Sequence, residues 1–169
     1  MRRHWQKRPL LIRGALAGEV PSLSRARLFA LACSARVESR LVSRTGRGAW
    51  TLAHGPFSRG ALPAPTRPRW TLLVQGVDLH DETARDLLDE FRFVPDARLD
   101  DLMVSWASDG GGVGPHVDSY DVFLLQARGR RRWRIARRFD AALRREVPFK
   151  VLRRFAAEEE HLLEPGDML

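Results

Sequence analysis

Cysteine is almost absent from this 169-residue chain: Cys33 stands alone, so no internal disulfide can form and the sequence fits a reducing compartment, most simply the cytoplasm. Long apolar runs are missing too. Nothing approaches the roughly 18 residues of a membrane helix. The charged start, Met1 to Arg8, leads into the brief Leu10-Leu11-Ile12 run rather than the apolar core of a signal peptide. Lysine is also scarce. Only Lys7 and Lys150 occur, leaving 27 of the 29 basic residues as arginine. The formal charge of +8 and pI near 11.1 raise nucleic acid as a partner. Arginine, alanine, glycine and proline rising together equally fit GC-rich coding, and net charge speaks to non-specific association rather than to a site.

What is present is one domain's worth of chain with ample apolar content. The first half reads as mixed α and β. Leu10 to Arg13 is predicted as a strand, Ser24 to Cys33 as a helix capped by Ser24 or Ser22, and Val37 to Val42 and Ala49 to Ala53 as strands around a Gly46/Gly48 turn. Pro63, Pro65 and Pro68 make 59–69 a loop, Trp70 to Val74 is a strand, and Asp81 caps a helix reaching Phe91. Strands then dominate: Leu102 to Trp106, the His116 segment, Val122 to Ala127, Arg130 to Ala136 and Glu158 to Leu163. A turn at Glu164 to Asp167 leads to a further strand beginning at Met168. The predicted class is mainly β with an α lead-in: 1–95 as the α/β part and 96–169 as the first part of a β body.

The chemistry concentrates after a glycine-rich turn, in Gly110-Gly111-Gly112-Val113-Gly114-Pro115-His116-Val117-Asp118. A phosphate-binding loop would need Lys-Ser/Thr and a helix next, whereas Pro115 and extended chain follow. In an extended segment i and i+2 share a face, so His116 and Asp118 can grip one metal ion as two members of a two-histidine, one-carboxylate triad. Alternation in the next strand sets Arg131, Trp133 and Ile135 on one face and Arg130, Arg132 and Arg134 on the other. Trp133 and Ile135 mark the inner face. An inward guanidinium needs an anion, supplied by a protein carboxylate such as Asp121 or by a bound 2-oxoglutarate.

Trp5-Gln6-Lys7-Arg8-Pro9-Leu10, Ser39-Arg40-Leu41-Val42, His54-Gly55-Pro56-Phe57, Gly110 to Phe123, Gly129 to Arg134 and Leu163-Glu164-Pro165-Gly166-Asp167, in this order, resemble the bacterial ribosomal oxygenases. These are JmjC-type cupins that hydroxylate an arginine of a large-subunit ribosomal protein. The resemblance implies a partial double-stranded β-helix, Fe(II) as metal with His116 and Asp118 among its ligands, 2-oxoglutarate as cosubstrate with Arg131 on its C5 carboxylate, and a ribosomal protein as partner. It requires neither nucleic acid nor membrane. Tyr120, Asp121 and Asp109 are the candidate substrate contacts, with Tyr120 as rim packing and Asp109 as a solvated loop charge the competing readings.

Relatives place a third ligand, a histidine, after the Pro-Gly-Asp turn, and then complete the barrel and a dimerisation region. Measured against them the sequence reads as truncated, with an exposed sheet edge and weak stability expected of it alone. His161 precedes the turn and lacks ligand-like spacing; His54 reads as structural. The alternatives are a related cupin hydroxylase acting on histidine or another residue, and a non-catalytic basic module that binds RNA or the ribosome.

Overall fold

The computed structural model describes residues 3–16, 20–46 and 48–169. They form two compact units, each assembled from separated stretches: one from Leu23–Gly114 and Arg145–Phe149, the other from Met1–Ser22, Pro115–Arg144 and Lys150–Leu169.

The first unit is a four-stranded antiparallel sheet in the order β2-β1-β3-β4, comprising β1 (Ser39–Arg44), β2 (Trp50–His54), β3 (Trp70–Val74) and β4 (Val104–Ala107). Every residue of Trp-Thr-Leu-Leu-Val in β3 is buried, as a central strand covered on both faces demands. Against it lie α1 (Arg25–Ala32) and the segment leading to α2 (Glu82–Asp89), burying Leu28, Leu31, Ala32, Val77 and Ala84 with Leu72 and Val74. Phe29, Trp70 and Trp106 add an aromatic cluster, with the two indoles 4.7 Å apart. Both predicted helices form with the predicted caps. Ser24 Oγ accepts from Arg27 N–H at 3.2 Å and Asp81 Oδ1 from Ala84 N–H at 3.4 Å, each satisfying a donor the first turn leaves open. The proline-rich stretch is irregular apart from one 3₁₀ turn, Arg59–Ala61.

The second unit contains the antiparallel ribbon β5 (Arg131–Ile135) and β6 (Glu159–Leu163), with Arg131 opposite Leu163, Trp133 opposite His161 and Ile135 opposite Glu159. Beyond the 164–167 turn, Met168 bridges Ile12 on one side and Leu125 on the other. The mainly β architecture with a helical lead-in therefore holds, as a set of antiparallel sheets.

Three predicted strands are corrected. Of Leu10 to Arg13 only Ile12 pairs, in a single bridge, and Val122 to Ala127 is likewise reduced to one bridge at Leu125. The His116 segment joins no ladder. Gly114 at φ +76° breaks the extended run and Pro115 has no N–H to donate, while its carbonyl accepts from Leu152 N–H at 2.7 Å.

The glycine turn has a specific cause. A Cβ on Gly111 would fall 2.4 Å from the Trp70 carbonyl oxygen and 2.9 Å from that of Ser108, whereas one on Gly112 would meet nothing within 4 Å. Gly111→Ala should therefore cost about 1–3 kcal/mol and Gly112→Ala less than about 0.5 kcal/mol, read as shifts in urea unfolding midpoint. Equal costs at the two positions would contradict the close approach.

Candidate metal and cosubstrate site

His116 and Asp118 do face each other. His116 Nε2 lies 3.6 Å from Asp118 Oδ2, with side chains 29% and 42% exposed. A first-row divalent ion bonds such donors at about 2.0–2.2 Å, so one ion can touch both atoms with little adjustment. An imidazole nitrogen and a carboxylate oxygen are donors suited to iron, and two donors leave further positions open. The pair fits the metal that the sequence implied. Among the described residues no group of three or more histidine, cysteine, aspartate or glutamate side chains is arranged as a metal site. His161 is engaged elsewhere, its Nε2 3.1 Å from Glu159 Oε2.

Arg131 takes the inner face of β5. Arg131, Trp133 and Ile135 are half-buried while Arg132 and Arg134 are exposed, and across the ribbon Leu163 opposite Arg131 is fully buried. Burial lowers the Arg131 pKa from the ordinary guanidinium value. The group stays charged, and a charge in such surroundings gains most from a bound anion.

The three substrate candidates separate. Tyr120 is 66% exposed. Asp121, also exposed, accepts from Gln6 Nε2 at 3.2 Å. Asp109 belongs to the other unit, where its backbone carbonyl accepts from Arg69 N–H at 2.9 Å and it lines an open depression of about 350 Å³ with Thr66 and Trp106.

Sequence reasoning missed Asp167, which read only as a turn residue. It is buried, and its carboxylate accepts from Glu164 N–H at 3.0 Å, from Gly14 N–H at 3.1 Å and from the Arg13 guanidinium. A Pro-Gly-Asp tripeptide ahead of an extended segment was the available signal.

The glycine turn, the His-x-Asp pair and the inward arginine all fall within residues 86–169, the stretch that matches the JmjC domain. Residues 86–169 thus carry a JmjC domain, and the chain is similar along its whole length to bacterial ribosomal oxygenases. It is 41% identical over 172 residues to the ribosomal protein uL16 3-hydroxylase of Escherichia coli and 34% identical over 173 to the probable ribosomal oxygenase of Haemophilus influenzae. All of this chain aligns in both cases, against 45% and 42% of those proteins, so it spans less than half their length. The solved structure of E. coli YcfD superposes with a TM-score of 0.90 at 41% identity, covering 99% of this chain and 44% of that one. A second YcfD structure, in complex with cobalt and 2-oxoglutarate, gives 0.85, with 99% and 43% covered.

Asp167 carries a pH prediction. The Glu164 N–H, then Arg13 and the Gly14 N–H, hold its carboxyl below the usual carboxylate value against a smaller opposing effect of burial. A depressed folded-state pKa stabilises above the unfolded value, about 3.9, and that stability is lost as pH falls through the folded value. The stability gap between wild type and Asp167→Asn should therefore be constant from pH 7 to 5 and narrow toward pH 3 in urea titrations. A gap unchanged at pH 3 contradicts the assignment.

Proposed function

We propose that this chain is the site-bearing part of an Fe(II)- and 2-oxoglutarate-dependent oxygenase that hydroxylates an arginine of a large-subunit ribosomal protein in the cytoplasm. In this reading residues 1–95 form the α/β lead-in and 96–169 the part of the barrel that carries the chemistry. The observation that carries it is the His116–Asp118 donor pair, 3.6 Å apart, in a chain alignable from end to end with ribosomal oxygenases. Cobalt and 2-oxoglutarate in the YcfD complex support the cofactor assignment.

Fe(II) with 2-oxoglutarate, when bound, would supply the oxidising chemistry with O2 as oxidant, one oxygen atom going to the succinate formed as CO2 leaves and the other to the hydroxylated carbon. The chain's own residues bind and orient. His116 Nε2 and Asp118 Oδ2 hold the metal. Arg131 anchors the C5 carboxylate of 2-oxoglutarate, and its partial burial strengthens that contact by limiting competition from water. Tyr120 and Asp121 are assigned to the substrate side, where a carboxylate suits a target guanidinium.

Mass spectrometry of ribosomal proteins from cells with and without the gene tests the reading: one arginine of a large-subunit protein should lose a single added oxygen when the gene is removed. In the gene's full product, His116→Ala and Asp118→Ala should each lower hydroxylation by more than about 100-fold and weaken Co(II) binding followed by its visible absorption. Unchanged turnover in either variant would overturn the metal assignment. Arg131→Ala removes charge-assisted hydrogen bonds of about 1.5–3 kcal/mol, so the KM for 2-oxoglutarate should rise roughly 10- to 150-fold.

A further inference from the structure

Coding bias would scatter arginine along the chain, but the charge is segregated. Residues 78–101 carry nine acidic residues against three basic, while 128–154 carry twelve basic against two acidic. Nearly all of the latter bases are exposed. Within the second unit the outer face of β5 concentrates them. Arg130, Arg132 and Arg134 alternate with the inward residues and all three are exposed, at i, i+2 spacings of roughly 6.8 Å. Arg128 precedes them across the Gly129 turn, its Nε donating to Ser22 Oγ at 2.8 Å. On this strip Glu160 lies 3.3 Å from Arg132, an exposed pair that water already weakens and a phosphate can displace. Beyond the strand, Phe139 is 50% exposed, an aromatic surface of the kind on which bases stack.

We propose that the outer face of β5 is a docking strip for single-stranded RNA. A regular row of guanidinium groups along an extended strand can follow successive phosphates, and an exposed ring such as Phe139, which follows the strand in the chain, suits an unpaired base. An anionic membrane would instead be met by an amphipathic helix or a loose basic tail, and this row lies on a paired β-ribbon with ordered register. The inference stands apart from the oxygenase reading, because the strip points away from the face that holds Arg131 and its test involves no turnover.

The test is fluorescence anisotropy of the whole chain with a labelled mixed-sequence RNA of about 16 nucleotides, titrated against salt. The wild type should bind with a steep negative slope of log K against log salt. The triple variant Arg130→Gln, Arg132→Gln, Arg134→Gln should bind about a hundredfold more weakly at 0.1 M salt with a slope shallower by about 2, as expected for three lost phosphate contacts on a single strand. A charge-matched control, Arg25→Gln, Arg36→Gln, Arg59→Gln, should lose far less. No RNA binding by the wild type, or equal losses in the two triple variants, would overturn the proposal. So would binding to phosphatidylserine vesicles that depends on the β5 arginines while RNA binding does not.

Discussion

The second unit depends on one buried carboxylate. Asp167 is 6% exposed, and its oxygens take bonds from Glu164 N–H, Gly14 N–H and Arg13. The first bond closes the turn after β6; the other two tie in the N-terminal segment more than 150 residues away. With the turn closed, Met168 exchanges backbone bonds with Ile12, and Leu169 does so with Leu124. Gly166 and Asp167 together bracket Gln126 in the same way. The stretch that follows the His-x-Asp pair is therefore pinned along 124–126 by a strand whose position Asp167 sets. An apolar residue there would leave two backbone donors and a guanidinium to find new partners.

The entry to the same stretch is held by sterics rather than charge. Gly111 lets the chain pass within contact of the Trp70 and Ser108 carbonyls, and Gly110 and Gly114 adopt φ of +67° and +76°. Other residue types reach that region only with strain. The turn is thus fixed against β3, and the donor pair that follows it in the chain belongs to no ladder. His116 and Asp118 end up 3.6 Å apart without the regular strand that the spacing suggested.

What was legible in the sequence was whatever local pattern decides. The caps at Ser24 and Asp81, the largely apolar β3 and the alternation of β5 all came through, because each follows from a residue's own side chain and its near neighbours. The strands expected around Ile12 and Leu125 form single bridges, both to Met168, and a partner far along the chain leaves no trace in the local pattern. Asp167 was hidden for a similar reason. Its turn was visible, but two of its three donors come from Arg13 and Gly14, and nothing local announces a contact at that separation.

The ribbon β5–β6 shows how little freedom remains once such contacts are made. Along Arg131-Arg132-Trp133-Arg134-Ile135 four cationic or aromatic side chains stand in a row, and chemistry alone does not say which arginine belongs inside. Register does. Leu163, fully buried, sits opposite Arg131, and His161 sits opposite Trp133, whereas the exposed Leu162 and Glu160 face Arg132 and Arg134. Slipping β5 by one residue would exchange the faces, burying two guanidinium groups and exposing the indole, so the ribbon has one affordable register. The residue that presents a cation to the interior and those that present cations to solvent are thereby fixed by a single pairing. A substitution that loosens Leu163 in the core would disturb both surfaces at once, which is why the inner and outer roles of this strand cannot be adjusted independently.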